Sequence, residues 1–319
     1  MLILNETDVR NTTAFPELVD AVRSMFQSEC RMPTRHHHTL QVPGEPDATL
    51  LLMPAWTEGQ YMGVKIVSVF PGNVRRALPS VSGTYLLSSA LTGQNLAIID
   101  GAELTARRTA ASSALASRYL SRPDARILLI CGTGRLSLNL IEAHCSQRRI
   151  ETVLVWGRSA DKAAETARLA GRLHPNVSVV SDLEAAVREA DIISCGTLSD
   201  APIVRGAWLK PGAHLDLIGA FTPSMRECDD EAVLRATLFV DTYEGALSEG
   251  GDLVQPIKAG LIGRDAVKAD LAALSRGHHP GRTNPGEVTL FKSVGAALED
   301  LAGAILAFET STRLVQSDG

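Results

Sequence analysis

Residues 125–147 read ARILLICGTGRLSLNLIEAHCSQ: an apolar run, a glycine-rich turn and a helix-like stretch in immediate succession. That order decides the fold class. In G-T-G-R-L-S, Gly132 permits a tight turn and Gly134 lets a pyrophosphate approach the backbone. The third position needs a small side chain for close helix–strand packing, and Ser137 stands there in place of Gly or Ala. The N–H groups and the dipole at the helix start then face negative charge. Gly132, Thr133, Gly134, Arg135 and Leu136 are therefore candidates to hold a dinucleotide.

Working outward from this turn, the runs ETVLVWG, NVSVV, DIISC, HLDLIG and TLFVDT are short, apolar and rich in β-branched residues, which predicts buried strands. Helix-like stretches lie between several of them, with Ser159 and Ser181 as expected N-caps. Alternating strands and helices predict a Rossmann-type, doubly wound parallel sheet. An NAD enzyme of this type carries Asp or Glu at the end of the second strand, but the sequence there is VLVWGRS. Arg158 and Ser159 suit a 2′-phosphate, so NADPH is favoured as cofactor. Use of NADH as well, and Arg158 as a merely solvated turn residue, stay open.

Upstream, TLLLMPAW, VKIVSVF and an Ala-rich helix from Ala102 to Tyr119 predict a separate α/β domain. The stretch LFKSVGAALEDLAGAILAF reads as a helix that returns to it, and GHHPGRTNPGE at 277–287 reads as a loop. The expectation is an α/β protein in which a dinucleotide-binding domain, 122–287, is inserted in a discontinuous domain, 1–121 plus 288–319.

A chain of 319 residues with 45% hydrophobic and 21% charged residues has globular composition and room for two cores. No apolar run reaches the ~20 residues that cross a bilayer, so no membrane role is expected. The net charge of −5 comes without a basic block, which argues against nucleic acid as a partner. The start MLILNETDVRNT has no export signature, which predicts a cytoplasmic protein. Five scattered cysteines without a CxxC pair read as reduced thiols. His36, His37 and His38 lack acidic or thiol partners at ligand spacing, so no metal site is expected. One of the three is expected to face a substrate pocket, while His278 and His279 read as surface residues.

The segments MPTRHHHTL, MGVKIVSVFPGN, LTARRTAASSALA, IGAFTPSMRECDDE and FKSVGAALEDLA, in this order and spacing, resemble the ornithine cyclodeaminase/mu-crystallin family over nearly the whole chain. The RHHHTL, TLLLMPAW and VLVWGRS versions look like the bacterial Δ1-pyrroline-2-carboxylate reductases. The resemblance implies NAD(P)H-dependent reduction of a cyclic ketimine acid, Δ1-pyrroline-2-carboxylate or its six-membered homologue, to L-proline or L-pipecolate. It also leaves room for an ornithine cyclodeaminase, an alanine-dehydrogenase-like enzyme or an NADPH-dependent small-ligand binding protein.

Carried over residue by residue, the resemblance puts Arg35, Lys65 and Arg108 on the substrate carboxylate, with Lys65 in the catalytic role. From spacing alone, Arg107 competes with Arg108. Arg108 and Thr109 lie near the cofactor in the family. Cys195, Gly196 and Thr197 after the fourth strand, Gly219 and Ala220 after the fifth, and Ser293 match positions beside the nicotinamide or its phosphates. Cys195 reads as a small buried thiol. Phe221 replaces an aspartate that engages substrate amines in the cyclodeaminases, and Glu227 and Asp229 read as turned away at a helix start. A homodimer built through the first domain is also implied.

Overall fold

The computed structural model describes residues 1–317. The chain forms two compact units, Met1–Arg108 together with the chain from Ala296 onward, and Thr109–Gly295.

The first unit contains β1 (Leu2–Leu4), α1 (Glu6–Thr12), α2 (Phe15–Gln27), β2 (His36–Leu40), β3 (Ala48–Trp56), β4 (Tyr61–Val69), β5 (Val81–Ser89), β6 (Asn95–Asp100) and the first part of α3 (Gly101–Leu120). The six strands form one sheet in the order β1-β6-β5-β4-β3-β2, antiparallel except for the β1–β6 pair. Side chains alternate across such a sheet. Lys65 on β4 is therefore opposite Met53 and Tyr85 on the same face, and all three are buried. Met62 and Ile66 point the other way and are exposed. β2 is the edge strand, and every one of its side chains is exposed, the three histidines included. Helix α2 buries Phe15, Leu18, Val19, Val22, Met25 and Phe26, a helical stripe that packs on the C-terminal helix.

The second unit runs β7 (Ile127–Cys131), α4 (Leu136–Gln147), β8 (Thr152–Trp156), α5 (Ala160–Ala170), β9 (Val177–Val179), α6 (Leu183–Glu189), β10 (Ile192–Cys195) and β11 (His214–Leu217). It continues through α7 (Asp230–Arg235), β12 (Thr237–Val240), α8 (Tyr243–Glu249), α9 (Gly251–Lys258), β13 (Val267–Asp270), α10 (Leu271–Ser275) and β14 (Thr289–Lys292). Eight strands form an all-parallel sheet in the order β13-β12-β14-β11-β10-β7-β8-β9. The half from β9 to β11 has the 3-2-1-4-5 order of a doubly wound dinucleotide-binding sheet. All six strands expected from the apolar runs are present.

Three expectations need correction. The sequence TLFK is not the start of a helix but strand β14, buried along its length between β11 and β12; the C-terminal helix α11 (Ala297–Ser317) begins only after Gly295. Residues 109–121 and 288–295, expected with the first domain, thus belong to the second unit, because Leu120 and β14 are tied together through the Leu120 carbonyl and the Thr289 hydroxyl at 2.9 Å. The N-cap of α6 is Asp182 rather than Ser181, since the Asp182 carboxylate reaches the Ala185 N–H at 3.0 Å. Ser159 does cap α5, accepting from the Lys162 N–H.

Candidate active site

In the first unit the charged residues converge on α11. Lys65 Nζ lies 2.8 and 3.0 Å from the two carboxylate oxygens of Asp300 and 3.4 Å from the Thr105 hydroxyl. Arg108 donates from Nε to Asp300 at 2.8 Å and from Nη1 to Glu299 at 2.5 Å. All four charged side chains are buried. Burial pushes the Lys65 ammonium down to about 8; Asp300 opposes this, while the positive charges of Arg108 and Arg35 add to it. Arg35, half-buried just before β2, is thus within electrostatic reach of Lys65. For Asp300, burial raises the carboxyl, but Arg108 and Lys65 outweigh it and hold the group below its usual range. The approach of α11 depends on Gly303: a Cβ there would come within 2.8 Å of Leu104, with Arg108 beside it.

Arg107 has a different fate from its neighbour. Its guanidinium donates to the Thr13 carbonyl at 2.6 and 3.1 Å and to the Thr13 hydroxyl at 2.8 Å, and it stacks over Phe15 at 4.2 Å. These contacts consume its fork in anchoring α3 to the loop between α1 and α2. Of the two arginines, Arg108 is the one joined to Lys65 through a shared carboxylate.

In the second unit, the glycine-rich turn opens a cavity of about 540 Å³ lined by Gly132, Thr133, Gly134, Trp156, Gly157, Arg158, Ser159, Lys162 and the stretch from Gly196 to Ser199, with Ile203. Gly132 has φ +132°, a conformation that side chains disfavour, and a Cβ on it would lie 3.0 Å from the Gly196 carbonyl. At Gly134 a Cβ would enter open space, so the missing side chain leaves room for a ligand rather than for protein. Ser137 is buried and donates to the Gly132 carbonyl at 2.9 Å, closing the turn from behind. Helix α4 starts at Leu136 after Arg135 with no side-chain cap; the Gly134 carbonyl takes the Ser137 N–H at 3.1 Å, and no capping side chain competes with an anion at this end. The turn, the uncapped helix and the cavity fit the pyrophosphate of a dinucleotide.

Arg158 is exposed on this cavity wall without an ion-pair partner among the described residues, and Lys162 adds a second cation one helical turn on. Sequence reasoning missed Lys162; the signal was its place three residues after the N-cap Ser159.

The remaining candidates sit at the carboxyl ends of the strands. Cys195 and Cys131 are lateral neighbours on β10 and β7. The Cys131 thiol and burial hold Cys195 well above the usual thiol range, so it stays protonated and is no nucleophile. Gly219 admits no side chain, because a Cβ would lie 2.0 Å from the Thr197 carbonyl. Ser293 donates to Asp241 at 2.9 Å, and the same carboxylate takes the N–H groups of Val294 and Gly295. Thr109 is buried on α3, Ala220 is buried after β11, and Phe221 is 45% exposed in the loop that follows.

Asp229 does cap α7, but Glu227 is fully buried and turned toward the backbone after β10 and β11. The three β2 histidines are exposed, His278 is exposed, and His279 packs edge-on against Phe239 at 5.4 Å.

The sequence profile of the ornithine cyclodeaminase/mu-crystallin family matches residues 1–313. A Δ1-pyrroline-2-carboxylate reductase of Paracoccus denitrificans is 41% identical, over 81% of this chain and 82% of its own. The solved structure of Thermococcus litoralis Δ1-pyrroline-2-carboxylate reductase in complex with NADH and L-proline superimposes with a TM-score of 0.91 at 33% identity, covering 98% of both chains. An archaeal alanine dehydrogenase dimer with bound NAD gives a TM-score of 0.89 at 29% identity, covering 98% of this chain and 97% of that one.

Proposed function

This chain belongs to the ornithine cyclodeaminase/mu-crystallin family and is an NAD(P)H-dependent oxidoreductase acting on a C=N bond, and we propose that its substrate is a cyclic ketimine acid, Δ1-pyrroline-2-carboxylate or its six-membered homologue, reduced to L-proline or L-pipecolate. The observation that carries this reading is the buried Lys65–Asp300–Arg108 cluster. Lys65 and Arg108, with Arg35 at the edge, take the substrate carboxylate. An Arg fork fixes the plane of a carboxylate, and a lysine adds a compact charge. Asp300 and Glu299 hold both cations in place before substrate arrives, so little ordering remains to be done on binding.

When bound at the glycine-rich turn, the nicotinamide cofactor would supply the hydride for the imine carbon, with the C=N electron pair passing to nitrogen. Nitrogen must then carry a proton, and Lys65, pushed down to about 8, is charged at neutral pH and able to give one up. Phe221, standing where the cyclodeaminases carry an aspartate, can neither take a proton nor pair with an ammonium, so the second ammonium of ornithine would find no partner in it. Arg158, with Lys162, favours NADPH over NADH.

The test is NADPH oxidation with the cyclic imine, with and without ammonia, beside ammonia release from L-ornithine. Imine reduction independent of ammonia, with no release from ornithine, is the expected result. Ammonia release from ornithine at a comparable rate would return the protein to the cyclodeaminases, and an absolute need for ammonia would make it an amino-acid dehydrogenase.

We also propose a homodimer formed through the first unit. Its support is the sheet face opposite Lys65, where Met62, Ile66 and Leu40 are 37%, 39% and 39% exposed in one chain, and the relative described as a dimer. Five free, scattered cysteines suit a reducing compartment such as the cytoplasm.

A further inference from the structure

Glu227 has no part in the chemistry above, yet its buried carboxylate accepts four hydrogen bonds. Oε1 accepts the Thr197 N–H at 2.6 Å and the Thr197 hydroxyl at 2.8 Å. Oε2 accepts the N–H groups of Gly219 at 2.8 Å and Ala220 at 3.3 Å. Its backbone carbonyl takes the N–H groups of Ile203 and Val204 at 2.9 and 3.0 Å. Thr197 and Ile203 both line the cavity beside the glycine-rich turn. One residue therefore fastens that cavity wall at two points and joins it to the backbone leaving β11. Glu227 is itself held from below, since its N–H donates to Asp252 at 2.7 Å and Asp252 pairs with Lys292 at 2.9 Å.

We propose that Glu227, as a carboxylate, is a positioning residue for the nicotinamide cofactor: it holds the Thr197 and Gly219–Ala220 backbone in the arrangement that the cofactor binds, and cofactor affinity depends on its charge. This rests on the cofactor class and not on the identity of the imine. Three of the four partners are backbone N–H groups, which can only donate, and the fourth, the Thr197 hydroxyl, can accept only by turning its own proton elsewhere; protonation therefore replaces a charge-assisted clamp with a weaker one. Burial and Asp252 push Glu227 up to about 7, with Lys292 and the Thr197 N–H opposing. Lys292 on β14 is held charged by Asp252 and Glu227 despite its burial, and the Cys195 and Cys228 thiols are held well above their usual range. Asp252 on α9 is ion-paired with Lys292. Of these neighbours, Glu227 is the group set to titrate near neutrality.

The experiment is the dissociation constant of NADH, read by its fluorescence, from pH 8.5 to 5.5 in the wild type and in Glu227→Gln. NADH is the probe because the 2′-phosphate of NADPH titrates near pH 6 itself. The expected result is weakening of about tenfold as pH falls through 7 in the wild type, from one strained or unsatisfied donor. In E227Q, binding is weaker by a similar factor at pH 8 and flat with pH. The KM for NADH rises, while the KM for the imine and kcat change little. Equal NADH affinity in E227Q and wild type overturns the proposal. If E227Q does not fold, the wild-type titration decides alone: an affinity constant from pH 8 to 6 overturns it.

Discussion

At the α11 cluster of the first unit the buried charges are side chains meeting side chains, Lys65 and Arg108 against Asp300 and Glu299. In the second they are acids meeting backbone, with Glu227 and Asp252 taking the N–H groups of Thr197, Gly219, Ala220, Glu227 and Cys228, and Lys292 as the buried counter-cation. An anion arriving at the first cluster meets cations held in a fixed geometry. The second cluster offers an incoming anion only acids whose oxygens are already taken, and its work is to hold loops. The two clusters also titrate in opposite directions: burial lowers Lys65 to about 8 and raises Glu227 to about 7.

The comparison breaks most plainly if the scaffold cluster proves dispensable for stability. Asp252→Ala leaves Lys292 without its ion pair and two buried N–H groups without an acceptor, so a loss on the order of 3–5 kcal/mol is expected. Denaturant unfolding measures it, and a loss under about 1 kcal/mol would mean that the pair is structurally idle.

For the ligand cluster the expected loss is in catalysis. Lys65→Ala and Arg108→Ala should each lower kcat/KM by the equivalent of about 2–5 kcal/mol, as for one partner of a desolvated charge pair. Arg107→Met should instead lower the unfolding midpoint, because its bonds go to Thr13. Near-normal kinetics in both single variants with an intact fold would remove the carboxylate site.

The pH dependence sharpens the contrast. If Lys65 binds the carboxylate and donates, its protonated form is the active one, and kcat/KM should hold below about pH 7 and fall as pH rises through about 8. Above that pH the fall approaches tenfold per unit. Lys65→Arg keeps the charge at any pH in this range and should abolish the alkaline limb while lowering the plateau. A limb that survives in the arginine variant belongs to another group. The smallest effect is expected at the cavity surface. Arg158→Ala should raise the KM for NADPH by about tenfold and leave that for NADH nearly unchanged, since the charge-assisted bond to the 2′-phosphate is the contact removed. Equal shifts for both coenzymes would show that Arg158 does not read that phosphate.

The two units also differed in how openly their sequences declared themselves. Strands β7, β8, β10 and β12 are nearly continuous apolar runs because an all-parallel sheet is buried on both faces, and the turn GTGRLS punctuates the first of them. In the first sheet one face is covered by α11 and the other is partly exposed, so apolar and polar residues mix; β1, β2, β5 and β6 escaped notice. β14 was lost because TLFK runs without a breaker into SVGAALEDLA, and only its two strand neighbours distinguish it from a helix start.

By itself, the sequence determined the class of the second sheet, the turn for the pyrophosphate and the missing acid after β8, since these depend on residues within one turn of each other. It also nominated Lys65 and the pair Arg107–Arg108, but spacing alone could not say which arginine shares a partner with Lys65. Tertiary structure decided that, by bringing Thr13 to one and Asp300 to the other across 94 and 192 positions of chain. It decided in the same way that Glu299 and Asp300 are counter-charges rather than the polar start of a helix, and that Glu227 grips backbone instead of facing water. The physical reason is common to all three: a charged side chain looks the same in sequence whether water, a ligand or the backbone will satisfy it, and which of them does is settled only when distant segments close around it.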